Sequence, residues 1–241
     1  MKALLLAAGL GSRLKPLTLS KPKCLVDIEG QPLLERWLQM LHDSELFSHV
    51  YINTHHLATQ VNDVIKNSPH VNRLTLSYEP ELLGSTRTLL QHERDLSDED
   101  FLVAHADNLS VIDWRSFTAA HSRRPAQTVG TMMTFVTDDP QSCGIVEIDR
   151  DGTLITMHEK VTHPPGNLAN AAIYLFNPIV FEIFRNRLNE SLSDISRDLI
   201  PLLYGRLTTF LNDIYHRDIG NLDSLNAARE DFSRRLYQVG A

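Results

Sequence analysis

The sequence predicts an α/β protein, because strand-like apolar segments alternate with amphipathic helical segments throughout its first half. Strands are expected at Lys2–Ala7, His49–Asn53, Arg73–Tyr78 and Phe101–Ala104, and helices at Pro32–Leu46, Leu57–Lys66 and Thr86–Glu93. This alternation predicts a parallel sheet with helices on both faces. Ligands of such sheets bind beyond the carboxyl ends of the strands. The loop at Gly9, after the first strand, and Asp107, after the fourth, are therefore expected to share one cleft.

The second half of the chain has a more mixed pattern. Strands are expected at Thr128–Phe135, Gly144–Ile148, Leu154–His158, Ala169–Phe176 and near Thr208–Ile214, and helices at Ile179–Arg187, Ser196–Leu203 and Leu222–Tyr237. An internal repeat or an obvious linker is not visible in the sequence. We therefore expect a single domain over residues 1–241.

Composition narrows the classes of function. The chain has 241 residues, a formal net charge of -7, 42% hydrophobic and 22% charged residues, which is ordinary for a soluble globular protein. The acidic balance argues against general nucleic-acid binding. Membrane spanning is not expected, because no apolar stretch approaches the ~20 residues that a bilayer requires. The apolar segment after Lys2 is short for a secretion signal, so we expect a cytoplasmic protein.

The segment from Leu6 to Val26 departs from this acidic balance. Between Met1 and Val26 the chain carries five cations and no acid; the cations are Lys2, Arg13, Lys15, Lys21 and Lys23. Gly9 and Gly11 would let backbone amides approach phosphate oxygens closely, and the cations would neutralise the phosphates. The segment therefore predicts a binding loop for a triphosphate.

The spacing within this loop identifies a more specific signature. Leu14 stands where a dinucleotide fingerprint would have its third glycine, which argues against an NAD-binding oxidoreductase, and no Gly-Lys-Ser/Thr closes a P-loop. The sequence instead has G-x-G-x-R, two residues, P-L-T, three residues and P-K. This pattern closely resembles the signature of the sugar-1-phosphate nucleotidylyltransferases, which join an NTP to a sugar 1-phosphate and release pyrophosphate. The resemblance extends from Met1 to about Ala228.

The resemblance implies a Rossmann-like, three-layer α/β/α nucleotidyltransferase fold with a mixed, mostly parallel central sheet. Residues 1–125 would form a nucleotide-binding half and residues 126–241 a sugar-phosphate-binding half. The repeated β-helix that some relatives append at the carboxyl terminus is not expected.

The resemblance also assigns roles to individual residues. Arg13 would contact the β- and γ-phosphates, and Lys23 would stabilise charge near the α-phosphate. Asp107, at a strand end, and Asp218 would hold Mg²⁺. The expected catalytic residues are Arg13, Lys23 and Asp107. The expected nucleotide-binding set is Ala8, Gly9, Gly11, Ser12, Arg13, Lys23, Glu79, Gly84 and Asp107. The expected sugar-phosphate set is Gly144, Glu159, Lys160 and Asn170.

The implied substrates are an NTP and a sugar 1-phosphate. Glu79 lies where the family senses the base, and an acceptor-only carboxylate complements the donors of guanine. GTP with mannose 1-phosphate is therefore favoured, and thymidylyl, uridylyl or cytidylyl transfer to another sugar phosphate stays open. Ala106 replaces a family glycine, and Ser85-Thr86-Arg87 replaces Thr-Ala-Gly, so a catalytically silent sugar-nucleotide-binding regulator is a second hypothesis. A homodimer is left open.

Overall fold

The computed structural model describes residues 1–185 and 192–236 of the chain. The polypeptide forms two compact units that are interleaved along the sequence. Unit 1 comprises Met1–Leu4, Leu83–Ala104 and Val111–Tyr215; unit 2 comprises Leu5–Leu82, His105–Ser110 and the segment from His216 onwards. The expectation of a single domain with two halves that meet near residue 125 stays a prediction.

The described residues form thirteen strands and seven α-helices, most of them short. The strands are β1 (Lys2–Leu6), β2 (Asp27–Ile28), β3 (Gln31–Pro32), β4 (His49–Thr54), β5 (Leu74–Tyr78), β6 (Phe101–His105), β7 (Leu109–Val111), β8 (Gly130–Val136), β9 (Gly144–Ile148), β10 (Leu154–Glu159), β11 (Leu168–Phe176), β12 (Leu207–Leu211) and β13 (Tyr215–Arg217). The helices are α1 (Leu33–Asp43), α2 (Ala58–Lys66), α3 (Ser85–Gln91), α4 (Glu93–Leu96), α5 (Trp114–Ser122), α6 (Ile179–Arg185) and α7 (Leu222–Leu236). Within the described residues, no helix has both the length and the apolar character needed to cross a bilayer.

Unit 1 is built around the long strand β11. This strand pairs antiparallel with β6, β8 and β9, and β9 continues antiparallel into β10. Strand β12 adds to β8 in parallel. Aromatic rings fill the core beside this sheet: the ring centroid of Phe101 lies 5.3 Å from that of Phe181 and 6.1 Å from that of Phe176. Contacts of this kind bury a large apolar area for each residue.

Unit 2 contains the parallel pair β4 and β5, with Val50 opposite Leu74. Helix α1 buries Leu34, Trp37 and Leu41, and this spacing places the three side chains on one face of the helix. The Trp37 indole donates a hydrogen bond to the Asn108 carbonyl (2.9 Å), which ties α1 to the segment after β6.

Most of the predicted elements are present, and two predictions were wrong. Helices α4 and α5 and the short strands β2, β3, β7 and β13 were not predicted. The predicted helix Ser196–Leu203 is a π-helical turn (Ile195–Leu199) followed by a 3₁₀ turn, where Pro201 lacks the N–H that an α-helix needs. The predicted strand to Ile214 ends at Leu211, because the Asn212 side chain accepts a hydrogen bond from the Ile214 amide and forms a turn. The predicted helix residues 186–187 and 237 lie outside the described residues.

Candidate active site

The glycine-containing loop after β1 belongs to unit 2 and has a backbone that favours glycine at position 11. Gly11 has φ of +59°, and a Cβ atom there would lie 2.8 Å from Thr18 Cγ2. The Gly11 carbonyl accepts hydrogen bonds from the Thr18 hydroxyl (2.7 Å) and the Leu14 amide (2.9 Å). These contacts fold the loop back on itself and close a tight turn ahead of Arg13.

Lys23, Asp107 and Asp218 lie together in unit 2, as the sequence analysis expects of three distant segments. Lys23 is 8% exposed, and its Nζ lies 3.0 Å from Asp107 Oδ2 and 3.6 Å from Asp218 Oδ1. Burial acts to raise the pKa of Asp107, but the charge and hydrogen bond of Lys23, the charge of His105 and a backbone hydrogen bond together lower this pKa. Asp107 is therefore an ionised carboxylate at neutral pH.

Two glycines let other groups approach these carboxylates. A Cβ atom on Gly220 would lie 3.0 Å from Asp218 Oδ2 and 3.1 Å from Arg13 Nη1, so the Arg13 guanidinium reaches the same turn. A Cβ atom on Gly9 would lie 3.5 Å from Asp107 Oδ2. The loop, the end of β6 and the turn after β13 therefore meet within unit 2.

Asn108 is a member of this cluster that the sequence analysis missed. In the amide orientation that satisfies its neighbours, Asn108 Nδ2 donates to Asp218 Oδ1 (2.9 Å) and to the Asp107 carbonyl (3.2 Å). This amide links the two carboxylate segments and fixes the orientation of Asp218. Its position after an apolar strand, next to Asp107, is the signal that could have identified it.

A histidine near the cluster carries no charge at neutral pH. Removal from water lowers the pKa of His216 to about 4, although the negative charge of Asp218 acts in the opposite direction. His216 Nδ1 lies 2.8 Å from the Ser110 hydroxyl. His216 therefore adds no positive charge to the cluster, whereas Lys23 and Arg13 do.

The carboxylates suit a hard divalent cation. Asp107 and Asp218 both direct an oxygen at the Lys23 ammonium, so these oxygens already converge on one positive charge. Mg²⁺ is commonly held by one or two carboxylates together with substrate phosphates and water. Among residues 1–185 and 192–236, no group of three or more His, Cys, Asp or Glu side chains is arranged around a metal position.

Glu79, which the sequence analysis expects to sense the base, lies at the end of β5 in unit 2. Its side chain is 1% exposed, and Oε1 accepts a hydrogen bond from Asn53 Nδ2 (2.8 Å). Asn53 Oδ1 in turn accepts from the Ala7 amide (2.7 Å), at the beginning of the loop. The sequence analysis did not select Asn53. This residue is the last of the predicted strand His49–Asn53, and Asp107 similarly follows the predicted strand Phe101–Ala104.

The expected sugar-phosphate residues lie in unit 1. Gly144 and Glu159 face each other on β9 and β10, and a Cβ atom on Gly144 would lie 2.6 Å from Glu159 Oε2. Glycine therefore makes room for this carboxylate. Lys160 Nζ lies 3.4 Å from Glu159 Oε1, with half of its side chain exposed.

Asn170, on β11, is held by neighbours within unit 1. Its Nδ2 donates to the Tyr174 hydroxyl (2.7 Å), and its Oδ1 accepts from the Ala172 amide (2.9 Å). Burial raises the pKa of Tyr174, so the phenol stays protonated. Asn170 also lies 3.4 Å from the Ser196 hydroxyl, and these contacts fix the direction of its amide.

Gly84 belongs to unit 1 and packs tightly against a backbone. It has φ of +84°, and a Cβ atom there would lie 2.2 Å from the Ser193 carbonyl oxygen. The adjacent Ser85 hydroxyl accepts a hydrogen bond from the Ile195 amide (2.9 Å). The residue that departs from the family pattern at position 85 is thus used to hold the segment around Ser193.

The model of the nucleotidyl transferase family matches residues 2–235 of this chain, so the chain belongs to that family. Relatives confirm the resemblance to the sugar-1-phosphate nucleotidylyltransferases. The catalytic subunit beta of a mannose-1-phosphate guanylyltransferase from Drosophila pseudoobscura pseudoobscura is 29% identical over 98% of this chain and 66% of its own length. A glucose-1-phosphate thymidylyltransferase from Streptomyces antibioticus is 32% identical over 77% of this chain and 52% of its own length.

Solved structures confirm the fold. HddC from Yersinia pseudotuberculosis matches with a TM-score of 0.80 and 24% identity, over 96% of this chain and 99% of that one. The predicted Rossmann-like α/β fold with a mixed, mostly parallel central sheet is therefore correct. The chain spans only part of the length of these relatives, and it covers 41% of a bifunctional GlmU from Methanocaldococcus jannaschii, to which it is 30% identical over 76% of its own length.

Proposed function

We propose that this chain is a sugar-1-phosphate nucleotidylyltransferase that forms an NDP-sugar and pyrophosphate from an NTP and a sugar 1-phosphate. The observation that carries the proposal is the Lys23 ammonium held between Asp107 and Asp218, with the Arg13 guanidinium at the same turn. Two cations and two carboxylates beside a glycine loop are what a polyphosphate with a divalent cation requires.

In the proposed reaction, an oxygen of the sugar phosphate attacks the α-phosphorus of the NTP. The bond from that phosphorus to the bridging oxygen breaks, and pyrophosphate leaves with the electron pair. Arg13 would bind the β- and γ-phosphates, and Lys23 would neutralise charge at the α-phosphate. Backbone amides of the loop, at Ala8, Gly9, Gly11 and Ser12, would bind phosphate oxygens. Catalysis of this kind is mainly positioning and charge neutralisation.

Mg²⁺ fits as the divalent cation, held by Asp107 and Asp218. When bound, it would neutralise negative charge on the triphosphate and so help the pyrophosphate to leave. The protein's own part is to present two oriented carboxylates, one of which is kept ionised by Lys23 and the other fixed by Asn108. Lys23 would then be released from the carboxylates to face phosphate.

GTP and mannose 1-phosphate are the proposed substrates, since relatives that align over nearly the whole chain are named mannose-1-phosphate guanylyltransferases. Relatives named for thymidylyl and uridylyl transfer support the alternative. Glu159 and Asn170 would bind sugar hydroxyls, Lys160 the sugar phosphate, and the Gly144 backbone the sugar ring. The Gly84 segment would border the nucleoside. A cytoplasmic location and a homodimer stay predictions.

A pyrophosphate-release assay tests the proposal. The chain is mixed with Mg²⁺, each of GTP, dTTP, UTP and CTP, and several hexose 1-phosphates, and pyrophosphate is measured with a coupled enzyme. We expect release that requires both substrates, with GTP and mannose 1-phosphate the best pair. Nucleotide binding without release for every pair would contradict transfer and favour the silent regulator.

A further inference from the structure

A chain of buried hydrogen bonds runs from the end of β5 to the start of the glycine loop, entirely within unit 2. Glu79 Oε1 accepts from Asn53 Nδ2 (2.8 Å), and Asn53 Oδ1 accepts from the Ala7 amide (2.7 Å). We propose that Asn53 and Glu79 are positioning residues, which fix the nucleotide-binding loop and so act on the affinity for every NTP alike. This inference rests on the proposed function, because it concerns the loop expected to bind the triphosphate.

The surroundings of Glu79 favour a positioning role over contact with the base. The residue is 1% exposed, and its backbone is bound on both sides: its amide donates to the Thr54 carbonyl (2.8 Å), and its carbonyl lies 2.8 Å from His55 Nδ1. Burying a carboxylate is costly unless hydrogen bonds satisfy it. Asn53 supplies such a bond and is itself 4% exposed. The Glu79 side chain therefore contacts the interior of the protein and not the solvent-accessible surface.

Asn53 acts at the point where the loop begins. The Ala7 amide follows β1 directly and precedes Ala8 and Gly9, so an acceptor for this amide fixes how the chain leaves the strand. Without Oδ1, the buried amide would lose this acceptor, and the loop would exchange its path for one in which the amide finds another partner.

Other residues of the same region hold the far part of the loop. His56 Nε2 lies 2.8 Å from the Thr18 carbonyl, and Gln60 Nε2 donates to the Ser20 carbonyl (2.9 Å). Asn53 of β4 thus contacts the beginning of the loop, and His56 and Gln60 contact its far part. A loop fixed before the ligand arrives binds more tightly, because less conformational freedom is lost on binding.

The inference predicts a weakening that does not depend on the base. Asn53→Ala should raise the Kd for GTP, dTTP, UTP and CTP by one common factor of roughly tenfold, the size expected for one buried hydrogen bond. A base-contacting role of Glu79 predicts the opposite pattern, in which Glu79→Gln changes the preference among the four nucleotides.

A double substitution provides the matched rescue. Asn53→Asp keeps an acceptor for the Ala7 amide but removes the N–H that Glu79 accepts and places two carboxylates together, so binding should weaken. When Glu79→Gln is added, the new amide can donate to the introduced carboxylate, which also accepts from the Ala7 amide, so the polarity of the pair is reversed and both hydrogen bonds are preserved. We expect the double variant to bind all four nucleotides at least about threefold more tightly than Asn53→Asp alone.

Equilibrium binding of the four nucleotides with Mg²⁺ is measured by calorimetry on the full chain, and thermal unfolding of each variant is recorded. Asn212→Ala is the control, because Asn212 is a buried asparagine of unit 1 that donates to the Val111 and Tyr215 carbonyls. Loss of stability without a change in nucleotide Kd is expected for this control.

Three results would overturn the inference: an unchanged Kd in Asn53→Ala, a base-selective change in Glu79→Gln, or a double variant that binds no more tightly than Asn53→Asp. If Asn53→Ala does not fold, the comparison of Asn53→Asp with the double variant decides. Pyrophosphate release by the unmodified chain is measured in parallel. Release with an unchanged Kd in the variants contradicts the positioning role alone, and an unmodified chain that binds none of the nucleotides contradicts both proposals.

Discussion

Lys23 is the residue through which the charges of the candidate site are coupled. Its ammonium is nearly removed from water and contacts two carboxylates, so it keeps Asp107 ionised while it is itself stabilised. A buried charge of this kind is costly without partners. The same three groups can rearrange around a bound triphosphate, because each carboxylate then gains a divalent cation and the ammonium gains a phosphate.

Asp107→Asn should lower the rate of pyrophosphate release by at least about a hundredfold, because the variant loses a carboxylate for the divalent cation and keeps the shape of the side chain. The fold should persist, since Asp218 still faces the Lys23 ammonium. Steady-state pyrophosphate release and circular dichroism measure the two effects.

Asp63→Asn is the matched control for that substitution. Asp63 lies exposed on α2 in the same unit, and its replacement removes one negative charge as Asp107→Asn does. We expect its rate to stay within about twofold of the unmodified chain. A comparable rate for Asp107→Asn would show that net charge or a different group governs transfer.

Alanine substitutions at Gly11 and Gly30 would distinguish the cost of backbone strain at positive φ from the cost of steric crowding around the new Cβ atom. Both have φ in the left-handed region, but a Cβ on Gly30 meets nothing within 4 Å, whereas one on Gly11 meets Thr18 Cγ2 at 2.8 Å and Lys23 Cβ at 3.1 Å. Gly30→Ala should therefore cost about 1 kcal/mol of unfolding free energy from backbone strain. Gly11→Ala should cost about 2 to 4 kcal/mol.

Urea unfolding of the two variants measures this difference, and nucleotide affinity gives a second comparison. Gly11→Ala should also weaken nucleotide binding, because Thr18 and Lys23 must move, whereas Gly30→Ala should leave affinity unchanged. Equal losses of stability in the two variants would mean that the crowding at Gly11 relaxes without cost.

At the scale of elements, periodicity predicted most strands and helices because their buried faces carry regularly spaced apolar residues. Helix α1 is an example, with Leu34, Trp37 and Leu41 on its buried face. Helix α5 was missed, since its buried Trp114, Phe117 and His121 mix apolar and polar side chains. His121 is buried because it contacts Asp100 and Thr131 from other elements, which a local pattern does not reveal.

The candidate site was predictable where a motif or a strand end marked the residue. Arg13, Lys23, Asp107 and Asp218 were selected in this way, and the structure brings them together within unit 2. Asn53 and Asn108 were missed, because their amides act through neighbours, and such contacts depend on tertiary packing. The inward orientation of the Glu79 side chain was missed for the same reason, because a position at a strand end does not show which way a side chain points.

The whole chain should lose stability in acid, and Asp100 carries a definable part of this loss. Burial acts to raise the pKa of Asp100, but hydrogen bonds from His121 and Asn177 and the charge of Arg124 lower it to about 2. The pKa of an aspartate in an unfolded chain is about 3.9. Because the folded value is the lower one, the contribution is complete above about pH 5 and is lost as the pH falls towards 2.

Asp100→Asn should remove this contribution, which we expect to be about 1 to 2 kcal/mol for a partly exposed group. Urea unfolding between pH 7 and pH 2.5 measures the unfolding free energy of both chains. The difference in unfolding free energy should shrink as the pH falls, because the unmodified chain loses the contribution of the ionised Asp100 carboxylate, which the variant lacks at every pH. Asp151→Asn, at an exposed turn of the same unit, should keep the slope of the unmodified chain. If the difference in unfolding free energy stayed constant across the pH range, Asp100 would stabilise the fold through its hydrogen bonds and not through its charge.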